Sequence, residues 1–165
     1  MSGMERPSFD LLSFLAEPGR PASVATVTGR GQPALATMWF AVEDGQTWFH
    51  SPRTEPAPFL RAASRGEPVA VMVATFSPPD DVRQIRMTGP ARLAARDHGR
   101  VRRIYDRYVP EWTPGWEQQA TSDDYCLWSM TPDRGMAVAY PGLADGPTFH
   151  WSDPAAFAKL LNILR

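Results

Sequence analysis

Between residues 22 and 93, short apolar runs alternate with turn residues, and this alternation limits the fold more than any other feature of the sequence. Ala22–Thr28 is a β-branched run around Val24 and Val27 that ends at Gly29-Arg30-Gly31. Pro33–Glu43 reads as a long apolar strand, and Asp44-Gly45 is a hairpin signal leading into Gln46–Ser51. Pro68–Phe76 (PVAVMVATF) has the composition of a strand buried on both faces, and Ser77-Pro78-Pro79-Asp80-Asp81 makes a rigid polar loop. Val82–Leu93 then alternates, with Val82, Gln84, Arg86 and Thr88 on one side and Arg83, Ile85 and Met87 on the other. Gly89-Pro90 marks a bulge or an edge within it. Tyr125–Thr131 and Met136–Tyr140 form a last pair, joined through Pro132-Asp133-Arg134-Gly135. Turns this short connect antiparallel neighbours, because a parallel pair needs a crossover of a dozen or more residues.

Helices are expected only around and between these strands. A short one, capped by Ser8 and carrying Phe9, Leu11, Leu12, Phe14 and Leu15, stops at Glu17-Pro18-Gly19. Thr54–Arg65 is a crossing helix with Phe59, Leu60, Ala62 and Ala63 inward and Gly66 as its stop signal. Asp97–Val109 has an apolar stripe of Val101, Ile104, Tyr105, Tyr108 and Val109. Its other face carries Arg96, Arg100, Arg103 and Arg107, read as a solvated face or a dock for an acidic partner. Pro110–Gln119 is expected to be irregular. A last helix begins near Pro154, capped by Ser152 or Asp153, with Phe157, Leu160, Leu161 and Leu164 on one face. The sum is a mostly β chain with flanking helices, an antiparallel barrel of six or seven strands. The 165 residues divide into an N-terminal helix (1–17), a barrel (22–140) and a C-terminal helix (152–165) within one expected domain.

Composition excludes several function classes. With 17 basic and 18 acidic residues the net charge is −1, which is unsuited to neutralising a row of phosphates, so no nucleic-acid partner is expected. No apolar run approaches the ~20 residues that span a bilayer, and the N-terminus lacks the charged-then-apolar pattern of a secretion signal. A cytoplasmic location is therefore expected. Cys126 is the sole cysteine and sits in an apolar run, which suits an inert core thiol. His50, His98 and His150 have no partners at metal-ligand spacing, so no metal site is expected. No phosphate-cradling glycine loop or nucleophile elbow occurs.

What remains is an order of elements. The segments VATVTGRGQPALATMWFAVEDGQTWFHS (24–51), PVAVMVATF (68–76), VRQIRMTGPARL (82–93) and LWSMTPDRGMAVAY (127–140) together resemble the FMN-binding split-barrel family typified by pyridoxamine 5′-phosphate oxidase. The resemblance implies a Greek-key split barrel, a homodimer, and a flavin site at the subunit interface. It implies FMN as cofactor, with a deazaflavin or haem as alternatives, and a flavin-dependent oxidoreductase acting on a small molecule. Thr37, Met38 and Trp39 would lie beside the ring, His50, Ser51, Arg53 and Thr54 would serve the ribityl-phosphate end, and Gln84 would reach the ring edge.

The chain departs from the family pattern where a phosphate is held. The oxidases place an arginine and a lysine on the long strand and an Arg-Lys pair at the crossing helix. The corresponding residues here are Ala36, Ala41, Glu55 and Pro56. A phosphate needs cations or free N–H groups, which Arg53, Arg61 or Arg83 would have to supply. Pyridoxamine 5′-phosphate oxidation itself is not expected. The alternative is a barrel that has lost the flavin and binds another ligand, or a non-catalytic dimeric module. If that ligand is haem, His50, His98 or His150 would hold the iron. Trp39, Trp48, Trp112, Trp116 and Trp128 offer the surface for an apolar pocket.

Overall fold

The structure, a computed structural model, describes residues 10–140 and 149–162. In chain order the elements are α1 (Leu11–Ala16), β1 (Ala22–Val27), β2 (Pro33–Met38), β3 (Ala41–Glu43), β4 (Gln46–Pro52), α2 (Pro58–Arg65), β5 (Pro68–Ala74) and β6 (Val82–Leu93). They continue with α3 (His98–Asp106), α4 (Pro114–Thr121), β7 (Tyr125–Met130), β8 (Arg134–Tyr140), β9 (Phe149–Trp151) and α5 (Pro154–Asn162). The strands run in the order β2-β1-β5-β6-β7-β4-β3, with β8 on β6 and β9 on β8. Every pairing is antiparallel, and the sheet curls into a split barrel flanked by helices.

The barrel splits where β6 changes partners. Its residues Gln84–Thr88 lie between β5 and β8, and Ala91–Leu93 pair with β7 instead. The exchange falls at Gly89-Pro90. A side chain on Gly89 would meet the Thr131 carbonyl oxygen at 1.6 Å, so only glycine lets the β7–β8 connection cross this close.

Alternation along the strands builds the core. In β4, Thr47, Phe49 and Ser51 point inward while Trp48 and His50 face α3. Phe49, Trp128, Phe40, Val24, Val71, Val73, Ile85 and Met87 fill the barrel, closed by Leu11, Phe14 and Leu15 of α1 and Phe59 of α2. A second, smaller core gathers Ala41, Val101, Ile104, Tyr105, Val109 and Leu127 beneath α3 and α4.

Several local features differ from the sequence expectations. The run Pro33–Glu43 is two strands, because the Tyr108 hydroxyl takes the place of a neighbouring strand at Phe40. The Phe40 N–H donates to it at 3.2 Å, and the hydroxyl lies 3.4 Å from the Phe40 carbonyl. This break and the short β9 raise the strand number among the described residues to nine. Pro110–Gln119 contains a helix, α4, whose cap is Thr113 and whose first residue is Pro114. Asp10 caps α1 through the Ser13 N–H; Ser8 and Phe9 lie outside the described residues. Asp153 rather than Ser152 caps α5, accepting from the Ala155 N–H at 2.9 Å. Of its expected apolar face Phe157 is buried against Trp151, and the side chains of Leu160, Leu161 and Leu164 lie outside the described residues.

The arginines of α3 are neither a free solvated face nor a free dock. Arg100 bridges to Glu43 and Asp44, both at 2.9 Å, and Arg103 to Glu43 at 2.6 Å, tying α3 to the β3–β4 hairpin. Arg102 pairs with Glu117 and Arg96 with Asp123, while Arg107 donates to the Leu15 carbonyl. No helix is long and apolar enough to cross a membrane among the described residues.

Candidate functional site

A cleft of about 490 Å³ opens between the ends of β2 and β4, the first turn of α2, and the wall formed by α3 and α4. That volume suits a small-molecule or cofactor site. Thr37, Met38 and Trp39 line it from β2 and the break after it, and His50, Ser51 and Thr54 from β4 and the loop that follows. Six of the eight residues expected from sequence therefore share one cavity. Arg53 points into two neighbouring hollows instead. Gln84 lies on β6 opposite Ala74 and Val138, away from the cleft of its own chain.

Ser51, Trp39 and His50 are each held by identifiable contacts. Ser51 is buried, and its Oγ accepts the Trp128 Nε1–H at 2.9 Å, fixing the end of β4 against the barrel core. Trp39 stacks on Tyr108 with centroids 4.9 Å apart and meets Trp116 of α4 at 5.3 Å. His50 stacks on Tyr125 at 5.1 Å, and its Nδ1 is 3.0 Å from the Tyr105 hydroxyl. Burial pushes the His50 pKa down to about 4, so the ring is neutral at pH 7. Burial likewise pushes the Tyr105 phenol up to about 12.

On the side of the cleft formed by α3, α4 and the start of β7, the sequence singled out only Trp116 as a pocket residue. Ile104, Tyr105, Trp116, Gln119 and Tyr125 form that side. Tyr105 was legible as a helix-stripe residue, but Trp116 and Gln119 fell in a stretch expected to be irregular. The Thr113-Pro114 cap signal could have found them. Of the five tryptophans considered for an apolar pocket, only Trp39 and Trp116 line the cleft. Trp128 is in the barrel core, Trp48 lies under the Arg100 guanidinium at 4.0 Å, and Trp112 stacks behind Tyr105.

Among the described residues no arginine or lysine lines the cleft itself, but a groove adjoins it and shares the wall Pro56, Ala57, Pro58 and Leu60. Arg53, Arg61 and Arg65 border that groove together with Glu55. Arg61 is paired with Glu67 at 3.0 Å, while Arg53 and Arg65 make no ion pair among the described residues. Ala57 caps α2 without a side-chain hydrogen bond, which leaves the Phe59 and Leu60 N–H groups for a ligand or water. Ala36 and Pro56 do face the cleft, but Ala41 is buried beneath α3 and cannot reach any ligand there. Arg83 is not available as a substitute cation: it is held by both carboxylate oxygens of Asp81 and by Glu17.

Only His50 of the three histidines borders the cleft. His98 lines a small hollow behind it, and His150 a separate open depression with Arg86 and Arg134. Cys126 is half-buried beside Arg53 rather than inside the core. The described residues contain no cluster of three or more potential metal ligands.

The fold matches solved structures of low sequence identity. A conserved hypothetical protein from Mycobacterium tuberculosis superposes with a TM-score of 0.68 at 18% identity, covering 87% of this chain and 91% of that one. HutZ, the haem storage protein of Vibrio cholerae, gives 0.61 at 15% identity, covering 78% and 91%. A haem-binding protein from Mycobacterium smegmatis gives 0.63 at 15%, covering 94% and 62%. No curated protein shows significant similarity in sequence. Residues 11–139, most of the chain and every residue that lines the cleft, match the signature described as pyridoxamine 5′-phosphate oxidase, and the chain belongs to that split-barrel family.

Proposed function

We propose that the cleft holds a flavin, FMN or a related flavin such as a deazaflavin, and that the protein is a flavin-dependent oxidoreductase acting on a small molecule. The observation that carries this reading is that the arginine groove adjoins the cleft, the two sharing Pro56, Ala57, Pro58 and Leu60 as lining. In it the ring lies against Thr37, Met38 and Trp39, and His50, Ser51 and Thr54 line the way toward the groove. Arg53 and Arg65, with the free N–H groups of α2, hold the phosphate that the lost strand cations would have held. A bound flavin would supply the electron or hydride transfer, and the chain's residues bind it, orient it and limit water.

Gln84 enters this reading through a second copy of the chain. Strand register puts it on the same outer sheet face as Arg86 and Thr88, and Thr88 is in line, through Ala70 and Ala25, with Leu35, which is 76% exposed. A homodimer formed over that face would cover Leu35 and carry Gln84 to the partner. Static light scattering at micromolar concentration should give twice the chain mass, and a monomer mass would contradict the dimer.

The haem reading has one observation in its favour, a histidine in the cleft, together with neighbours described as haem proteins. Absorbance titrations with FMN, deazaflavin and haem separate the two. A saturable flavin spectrum supports the flavin reading. A Soret band that disappears in His50→Ala, with no flavin binding up to near-millimolar concentration, would replace it.

A further inference from the structure

The α3–α4 wall carries a hydrogen-bonded chain that a ring-binding role alone does not require. The Gln119 side-chain N–H donates to the Tyr105 hydroxyl at 3.1 Å, and that hydroxyl is 3.0 Å from His50 Nδ1. Tyr105 is 2% exposed and keeps its proton at neutral pH. A phenol has one proton to give. With its oxygen accepting from Gln119, that proton goes to Nδ1, because no other acceptor is in reach of the hydroxyl among the described residues. His50 is neutral, so its ring carries one N–H, and if Nδ1 accepts, the proton sits on Nε2. Stacking on Tyr125 and the edge contact with Tyr105 fix the plane of the ring.

We propose that Gln119, acting through Tyr105, holds His50 in the Nε2–H tautomer, so that the site offers a hydrogen-bond donor at this residue and favours planar ligands carrying a carbonyl oxygen or an unprotonated ring nitrogen there. Gln119 is a positioning residue. Turning its amide over would reverse every donor in the chain. Tyr105 would donate to Oε1, Nδ1–H would donate to Tyr105, and Nε2 would be left with an electron pair suited to a metal. Residue 119 therefore decides whether His50 is a donor or a ligand. The tautomer is a property of the ligand-free protein, so a failed flavin titration leaves it standing, and its own failure leaves the flavin reading standing.

Ring-nitrogen NMR of protein labelled with ¹⁵N-histidine tests it, with His50→Gln identifying the His50 signals among the three histidines. The wild-type proton is expected on Nε2. In Gln119→Glu a carboxylate can only accept, so the proton should move to Nδ1, a change that loss of packing alone would not produce. If Gln119→Glu does not fold, Tyr105→Phe decides: removing one hydroxyl should shift the His50 Nδ1 resonance. A wild-type proton on Nδ1, a Gln119→Glu proton still on Nε2, or an unmoved Nδ1 resonance in Tyr105→Phe would each overturn the proposal.

Discussion

Ser51 serves two environments, since its side chain borders the cleft and its Oγ accepts the indole N–H of the fully buried Trp128. Ser51→Ala leaves that N–H without a partner, and an unsatisfied buried donor costs about 1–3 kcal/mol. Urea denaturation should show a loss in that range, and a loss below about 0.5 kcal/mol would mean that water replaces the hydroxyl. His50 gives the protein a pH signature. Its folded pKa of about 4 lies below the ordinary 6.5, so between those values the unfolded chain binds the proton more readily. The His50 contribution to stability is complete above pH 6.5, declines as pH falls toward 4, and changes no further below that. Glu17 and Asp81, whose pKa values are lowered by hydrogen bonds first to Arg20 and Arg83 respectively, contribute above the usual carboxylate range and are lost only in stronger acid. His50→Gln should therefore flatten the stability curve between pH 6.5 and 4 and leave the acid limb alone. An unchanged slope in that window would contradict the burial of His50. At the groove, Glu55→Gln should tighten FMN by roughly fivefold, about 1 kcal/mol for a charge a few ångströms away in water. Weaker binding would mean that Glu55 does not face the phosphate. The family resemblance, rather than any local pattern, pointed to Thr37, Met38, Trp39, His50, Ser51 and Thr54 as one site, and these six share the cleft. Tyr105 and Gln119 were not legible as their companions, because contacts across 55 residues or more depend on how α3 docks and leave no local pattern.

At the scale of elements, α3 shows how a row of arginines can mislead. Its spacing on one helix face was readable, but its partners Glu43 and Asp44 lie on a hairpin some 55 residues earlier, so the same row served equally well as a free surface. Glu43, which joins Arg100 and Arg103, anchors that contact. Glu43→Ala should cost about 1 kcal/mol, and the difference from wild type should shrink in 1 M salt because the Arg103 end of the network is exposed and screened. A salt-independent loss would assign the effect to packing of the side chain instead. The break between β2 and β3 was also hidden, since Trp39 and Phe40 continue the apolar run and only the distant Tyr108 hydroxyl interrupts the ladder. Gly89-Pro90, by contrast, was visible as a bulge or edge, and it marks the site where β6 exchanges one neighbour for another. Gly89→Ala forces a methyl into the Thr131 backbone and should cost at least the ~1–3 kcal/mol of an overpacked core. Near-wild-type melting would show that the β7–β8 connection moves aside.

For the whole molecule, the antiparallel split barrel followed from short turns and from the family resemblance together, and both survive in the strand order. The cofactor did not follow, because the residues by which the oxidases hold a phosphate are Ala36, Ala41, Glu55 and Pro56 here. In the flavin reading proposed above, the replacement cations would be Arg53 and Arg65, the latter at the far end of α2, which line one groove. The most direct measurement compares FMN with riboflavin, which lacks the phosphate, in wild-type protein and in Arg53→Gln/Arg65→Gln. Wild-type protein should bind FMN at least tenfold more tightly than riboflavin, as a gain of about 1.4 kcal/mol from charge-assisted hydrogen bonds requires, and the double variant should bind the two alike. Equal affinity in the wild type, or no binding of either flavin, would contradict a phosphate held in the arginine groove.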